Sequence, residues 1–350
     1  MTSQSKPSAE KPKYATDDPL LSDRELPLHG VFYPLGFALE ITTNSDEVME
    51  AAQESWGHFR AAMAEPPVHL RVVVVEGGQK GCPSDPKLRA QQNLVVRVAD
   101  AENFSISNMA EGFASCWLTS GLVANRGYLR FHFIEGMGWD LLDPRYLAAI
   151  HAACVQYGNK GVLLCGESGA GKSSLAYACA RRGWAFLADD STSLIRKSSH
   201  RVVLGNPFQI RFRDSAVELF PELRDRKLTR RVSGKLSIEV PTASISGIET
   251  ISQSSADYIV FLKRGKPGAP RLVPFPKETA LRWFEHSIFF GDKALREAQK
   301  VTLRNLVQTE MFELHYDDLD SAVATLEAMV DQRAVTPVDS AAASNERTHA

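Results

Sequence analysis

The sequence predicts an α/β core preceded by an N-terminal α+β accessory domain. Three observations carry that reading. A short apolar run, Gly161–Cys165, leads into a glycine-rich turn and then an Ala/Leu-rich run to Arg182. A second apolar run, Trp184–Ala188, follows at once and ends in Asp189-Asp190. Upstream, residues 28–135 alternate as several short strands with one amphipathic helix among them, and carry no recognisable chemistry.

The chemistry concentrates in Gly166, Glu167, Ser168, Gly169, Ala170, Gly171, Lys172, Ser173 and Ser174, which fit G-x-x-x-x-G-K-[ST]. Glycines let the backbone curl so that successive N–H groups converge on a phosphate. The helix that follows turns its unpaired N–H groups and positive end to the same anion. Lys172 is placed for the β- and γ-phosphates and the Ser173 hydroxyl for Mg²⁺. Arg181-Arg182 and then Gly183 give the expected helix stop. Paired carboxylates at the end of the next strand fall in the crevice where α/β folds bind ligands.

The rest of the chain is taken in order. Residues 1–27, rich in Ser, Lys, Pro and Asp, read as a disordered arm. A strand is expected from Val31 through Phe37–Ile41. A helix opened by Asn44 and Glu47 should then bury Val48, Ala52, Trp56, Phe59 and Met63. His69–Val75 is a strand, Gly77–Pro86 a loop, and Leu94–Val98, Asn103–Ser107 and Phe113–Leu118 a meander. Tyr128–Ile134 alternates, which makes it a strand with His132 exposed. Asp143-Pro144 reads as a helix start, and Ala148–Tyr157 leads to a turn at Gly158-Asn159.

Strands are expected at Ser193–Arg196, Arg201–Leu204, Pro207–Arg213, Leu236–Val240 and Asp257–Leu262. Arg271–Phe275 is an edge strand because Pro274 cannot donate to a central ladder. Lys277–Phe290 is helical with His286 exposed. Phe312–Tyr316 is the last strand, and the final helix has acidic residues Asp317, Asp318 and Asp320 at its start and buries Leu319, Val323, Leu326 and Val330. Residues 332–350 read as a disordered tail.

Composition narrows the partners. At 44% hydrophobic and 23% charged the chain is ordinary for a globular protein. A net charge of −2 gives no basis for nucleic acid or an anionic membrane as partner. The basic stretch Arg224–Lys235 lacks aromatic interleaving and suits a loop closing over a nucleotide, with Arg231 or Lys235 neutralising charge. Five cysteines without paired spacing point to a reducing, cytoplasmic compartment, and no apolar run is long enough to span a membrane.

The stretch Gly161–Asp190 resembles the catalytic core of the HPr kinase/phosphorylase family, whose loop has the form GDSGxGKS and whose next strand ends in Ala-Asp-Asp. The similarity covers roughly residues 147–240. It implies a P-loop kinase core of the HPr kinase type, a mixed sheet with flanking helices, over residues 136–331, using ATP and Mg²⁺. It implies that His151, upstream of the loop, sits beside the transferred phosphate, that Asp189 is the base, and that Asp190 and Ser173 lie on the metal side. It also suggests a homo-oligomer. By that resemblance the acceptor is a protein or peptide serine, HPr among the candidates, or a small hydroxylated metabolite. The family carries Glu-x-Arg-Gly where this chain has Gln209-Ile210-Arg211-Phe212. A neutral amide is a poor Mg²⁺ ligand, so the phosphorylase half of the family's activity is not expected. A P-loop switch and a nucleotide-binding assembly module, neither with an acceptor, fit the same motif.

Overall fold

A computed structural model describes residues 24–334, except 79–80, 231–233, 235, 266–267, 287 and 289–290. Most of the expected N-terminal arm, the expected tail beyond Ala334, and the expectations for Arg231 and Lys235 lie outside the described residues.

Seven strands form the first sheet: β1 (Leu28–Phe32), β2 (Leu39–Thr43), β3 (Val68–Val75), β4 (Lys87–Gln91), β5 (Leu94–Val98), β6 (Phe104–Asn108) and β7 (Phe113–Thr119), in the order β1-β2-β3-β7-β6-β5-β4. The expected single strand from Val31 is two antiparallel strands, because Pro34 and Gly36 (φ 90°) turn the chain between them. Helix α1 (Asp46–Trp56) buries Val48, Ala51, Ala52 and Trp56 on this sheet. Its cap is Ser45, whose Oγ accepts from Val48 N, rather than Asn44. Asn44 instead exchanges two hydrogen bonds with the Val74 backbone, each 2.8 Å. The helix stops at Trp56, and Phe59 and Met63 pack on the core from the loop beyond it.

The largest correction lies between residues 120 and 146. Tyr128–Ile134 is not a strand. It belongs to a helical run made of α2 (Ser120–Val123), α3 (Arg126–Tyr128), a π-helical stretch Leu129–Glu135 and α4 (Gly136–Tyr146). The alternation is a coincidence of a short window. Over a longer one, buried Leu129, Phe133, Met137 and Leu141 step by four, which is the helical period. His132 accordingly lies largely inside, against Asp85 at 3.6 Å and the Tyr128 ring. Asp143-Pro144 ends a helix instead of starting one.

The second half is built on a mixed six-stranded sheet. Its strands are β9 (Ala152–Tyr157), β10 (Lys160–Cys165), β11 (Ala185–Ala188), β18 (Tyr258–Arg264), β19 (Arg271–Pro274) and β20 (Glu310–Tyr316), ordered β11-β9-β10-β18-β20-β19. The β10–β18–β20 pairs are parallel and the others antiparallel, with β19 at the edge as Pro274 requires. Helices α5 (Lys172–Arg181) and α8 (Leu319–Ala334) cover one face. Helices α6 (Lys277–Glu285) and α7 (Lys293–Leu306) cover the other. Two small sheets flank it: β17-β13-β12-β8 and β14-β16-β15, where β8 is Leu147–Ile150, β12 Thr192–Ile195, β13 Val202–Gly205, β14 Gln209–Phe212, β15 Leu228–Arg230, β16 Leu236–Pro241 and β17 Gln253–Ser255.

Helix α7 is absent from the sequence reading. Its surface is charged and its apolar stripe thin: Leu303 and Leu306 are buried while Val301 is exposed. The signal that could have revealed it is Asp292, whose Oδ1 accepts from Leu295 N at 2.8 Å as an N-cap. Asp292 also joins the two halves. Asn93, in the β4–β5 turn, donates from Nδ2 to Asp292 Oδ2 at 2.8 Å and accepts from Asp292 N at 3.0 Å. Among the described residues, no helix is long and apolar enough to cross a membrane.

Removing this clasp is expected to free α7 while leaving the sheets intact. Asn93→Ala should cost about 1–2 kcal/mol and raise amide exchange mainly across residues 293–306. Exchange mass spectrometry showing no change there would overturn the assignment of Asn93 as the tie.

Candidate active site

The site forms where two strand pairs leave one sheet for another. β8 pairs with β12, and β9 with β11. Both chains turn a corner at the same level, one at His151 and the other at Asp189–Ser191. Thr192 Oγ1 donates to Ala152 O at 2.8 Å and holds the corner together. The glycine-rich loop, between β10 and α5, lies against it.

The loop's backbone needs its glycines. Gly166, Gly169 and Gly171 have φ of 149°, 98° and 99°, a region L side chains avoid. A Cβ on Gly171 would also meet Tyr316 Oη at 2.5 Å. Tyr316, not singled out in the sequence reading, donates to Ala170 O at 3.2 Å, and burial pushes its hydroxyl up to about 12, so it stays a neutral donor. Gly171 is the N-cap of α5 and supplies no side chain to it. The first helical N–H groups are therefore open to an anion, and Leu175 N is the one that reaches back to Gly171 O.

Lys172 is buried at this junction, 5% exposed. Its Nζ donates to Gly166 O at 2.8 Å and lies 3.1 Å from His151 Nε2 and 3.7 Å from Asp190 Oδ1. Burial lowers its pKa, and the Asp190 charge opposes that. His151 Nδ1 is 3.5 Å from the same Asp190 oxygen. Three of the residues expected to do chemistry thus converge.

The two aspartates diverge. Asp190 is half exposed and faces Lys172. Asp189 is 8% exposed, and its Oδ2 accepts from Arg211 N at 2.7 Å, on the open edge of β14. Burial raises the Asp189 pKa to about 6 against the pull of that N–H. Ser173 Oγ donates to the Asp189 backbone oxygen at 3.4 Å. Arg213 Nη2 donates to Ser168 Oγ at 2.8 Å, placing a guanidinium over the loop. Gln209 faces Glu239: its Nε2 donates to Glu239 Oε2 at 3.3 Å, and Arg211 Nε pairs with Glu239 Oε1 at 3.4 Å. No His/Cys/Asp/Glu cluster able to hold a metal by itself occurs among the described residues. An ion here would need hydroxyl and phosphate oxygens as well.

Residues 146–213 match the family model described as the HPr Serine kinase C-terminal domain. This segment is HPr-kinase-like. It contains the corner, the loop, both aspartates and Arg213. A protein of Oceanobacillus iheyensis provisionally named HPr kinase/phosphorylase 2 is 40% identical over 57 residues, a stretch that spans 16% of this chain and 18% of that relative. The Coxiella burnetii Hpr(Ser) kinase/phosphatase structure aligns with 53% of this chain and 96% of its own, at 14% identity and a TM-score of 0.29.

Beside the HPr-kinase-like site lies a strained carboxyl. Asp143, on α4, has a buried Oδ1 with no hydrogen-bond partner among the described residues. Burial, helped by the charge of neighbouring Asp140, raises its pKa to about 7. Burial raises Asp140 itself to about 6, with Arg97 at 3.1 Å opposing the shift. The folded chain thus keeps a proton on Asp143 that the unfolded chain releases near pH 3.8, the ordinary aspartate value. Stability from this group is greatest in acid, falls as pH rises from about 4 to 7, and is flat above. Asp143→Asn should remove the decline and gain about 2 kcal/mol on wild type between pH 5 and pH 8. Parallel denaturant titrations of the two proteins at both pH values measure it; a constant difference would overturn the buried-carboxyl account.

Proposed function

We propose that this chain is an ATP-dependent phosphotransferase resembling HPr serine kinase, moving the γ-phosphate to a serine or other hydroxyl acceptor. The observation that carries the proposal is the convergence of Lys172, His151 and Asp190 within 3.1–3.7 Å at the head of a glycine-capped helix. That cluster is more than nucleotide binding requires. A switch or an assembly module needs the loop but no histidine–carboxylate pair beside it.

In this reading the nucleotide phosphates become a further partner of Lys172 and take the N–H groups of Gly169 and of Gly171 to Ser174, the Ala170 N–H being engaged by Glu167 O. Mg²⁺, held by Ser173 and Asp190, supplies charge neutralisation on the β- and γ-oxygens when bound. The long Ser173–Asp189 contact leaves that hydroxyl free to turn. Asp189 is the base: a carboxyl held near pH 6 by burial is better matched to taking a hydroxyl proton than an ordinary aspartate. Arg211 N fixes its orientation. Arg213 and Lys172 bracket the loop and stabilise charge on the transferred group. His151 stands between Lys172 and Asp190 and keeps the ammonium aimed at the loop.

The reverse, phosphorylase direction is expected to be weak. Gln209 offers an amide, and the nearby carboxylate, Glu239, is already engaged by Gln209 and Arg211. A protein serine such as that of HPr and a small hydroxylated metabolite are both acceptors of the right chemistry, and a homo-oligomeric state and a cytoplasmic setting belong to the same proposal.

Lys172→Ala should lower transfer from labelled ATP by on the order of 10²-fold or more, and turnover at the wild-type rate would overturn the loop assignment. Asp189→Asn should leave Mg·ATP affinity near wild type while transfer falls about 10²–10⁴-fold. Asp190→Asn should weaken Mg²⁺ dependence and nucleotide affinity together. Calorimetric titration beside single-turnover transfer separates them; equal loss of binding in both variants would remove Asp189 from the role of base.

A further inference from the structure

The loop has two unlike sides. Lys172 meets His151, just before β9, and Asp190, just after β11, so the chemistry lies on the β9–β11 side of β10. In the sheet order β11-β9-β10-β18-β20-β19, β18 and β20 lie on the other side. A triphosphate wrapped on the loop with its γ-phosphate at Lys172 and His151 would send its nucleoside end that way, over the carboxyl ends of β18 and β20. This is the crevice in which open α/β sheets take ligands. A cavity of about 330 Å³ beyond His151, walled by Trp139 of α4, Ile150 of β8 and Gln299 of α7, is on the γ-phosphate side and so off that path.

β10, β18 and β20 run parallel, and the last two continue past the start of the loop: Cys165 pairs with Phe261, while Arg264 pairs with Tyr316. Partners in a ladder put their side chains on one face. Tyr316 is buried on the face covered by α5 and α8, and its Oη donates to Ala170 O at 3.2 Å. Arg264 therefore stands beside the ring that holds the loop, and its charge reaches the Tyr316 hydroxyl, opposing the upward push of burial. Gly265 N donates to Tyr316 O at 2.9 Å and ties down the backbone just after Arg264. The guanidinium has no such tie. Arg264 is exposed, and its side chain has no hydrogen-bond or ion-pair partner among the described residues. Neighbouring cations are committed: Lys263, on the opposite face, pairs with Glu313 at 3.4 Å, and Arg182 with Glu327 at 2.8 Å.

We propose that the nucleoside end of the bound nucleotide lies over the ends of β18 and β20, with the Arg264 guanidinium laid flat on the base. The proposal rests on the nucleotide-loop part of the kinase reading and gives that ligand a second point of grip. A planar guanidinium stacks on an aromatic ring and is attracted to its face. It does so with any base, because each has a π-face. Lys172 and the loop N–H groups hold phosphate oxygens and do not register what the phosphates are attached to. Arg264 supplies that distinction, and it separates a nucleotide from a bare polyphosphate chain.

Mg·ATP and Mg·tripolyphosphate share three linked phosphates and differ in the nucleoside, so calorimetric titration of the full chain with each tests it. ATP should bind about tenfold or more tighter than tripolyphosphate. Arg264→Met keeps an apolar stem and removes the charged plane. With its thermal transition unchanged, this variant should bind ATP about three- to tenfold more weakly, as loss of a cation–π contact implies, and tripolyphosphate within about twofold of wild type. Lys172→Ala should weaken both ligands together. Tripolyphosphate binding as tightly as ATP overturns the nucleoside subsite. An Arg264→Met variant that weakens both ligands alike, or neither, removes Arg264 from it. Wild-type protein that binds neither ligand overturns the nucleotide-loop reading itself, and this assignment with it.

Discussion

One buried ammonium organises the centre of this protein. Lys172 lies almost wholly out of water, and a cation there is tolerated only if acceptors surround it. Those acceptors come from separate parts of the chain: the Gly166 carbonyl at the end of β10, His151 at the break between β8 and β9, and Asp190 at the break between β11 and β12. Each is at a point where a strand stops obeying one sheet. The interruption of regular pairing is what frees these groups to face the lysine, and Thr192 fixes the interruption by spending its hydroxyl on Ala152 O. A continuous sheet here would satisfy the backbone and leave the lysine without partners.

Much of this region was legible because its signals are local. The loop is a run of glycines whose positive φ values only glycine takes easily, and the carboxylates end an apolar run that can only be a buried strand. His151 was placed beside the loop by family resemblance, and the structure brings it within hydrogen-bonding distance of Lys172. Tyr316 and Arg213 were harder to see as loop partners. Their contacts depend on β20 lying beside β18 and on β14 folding back over α5, and neither pairing leaves a periodic mark in sequence.

The fold was misread where a short window satisfies two periods. Tyr128–Ile134 alternates like a strand yet contributes Leu129 and Phe133 to a helical stripe. Burial against the first sheet settles the matter in favour of the helix. Helix α7 was missed for the opposite reason: too little of it is apolar for any period to show. The cavity beside His151 depends on both of these elements, α4 and α7, so it stayed out of sight for the same reasons.

The Asn93–Asp292 clasp bears on how such a chain could have been assembled and how it could be taken apart. A loop-bearing core with an added N-terminal unit suggests two pieces that could be exchanged like modules. Here a turn of the first sheet grips the cap of a helix in the second half, and α4 and α7 together wall the space beside His151. The N-terminal half is thus part of the vessel in which the core works, so a chimera joining this core to another protein's leading domain would inherit the loop and the lysine but an open-sided chamber.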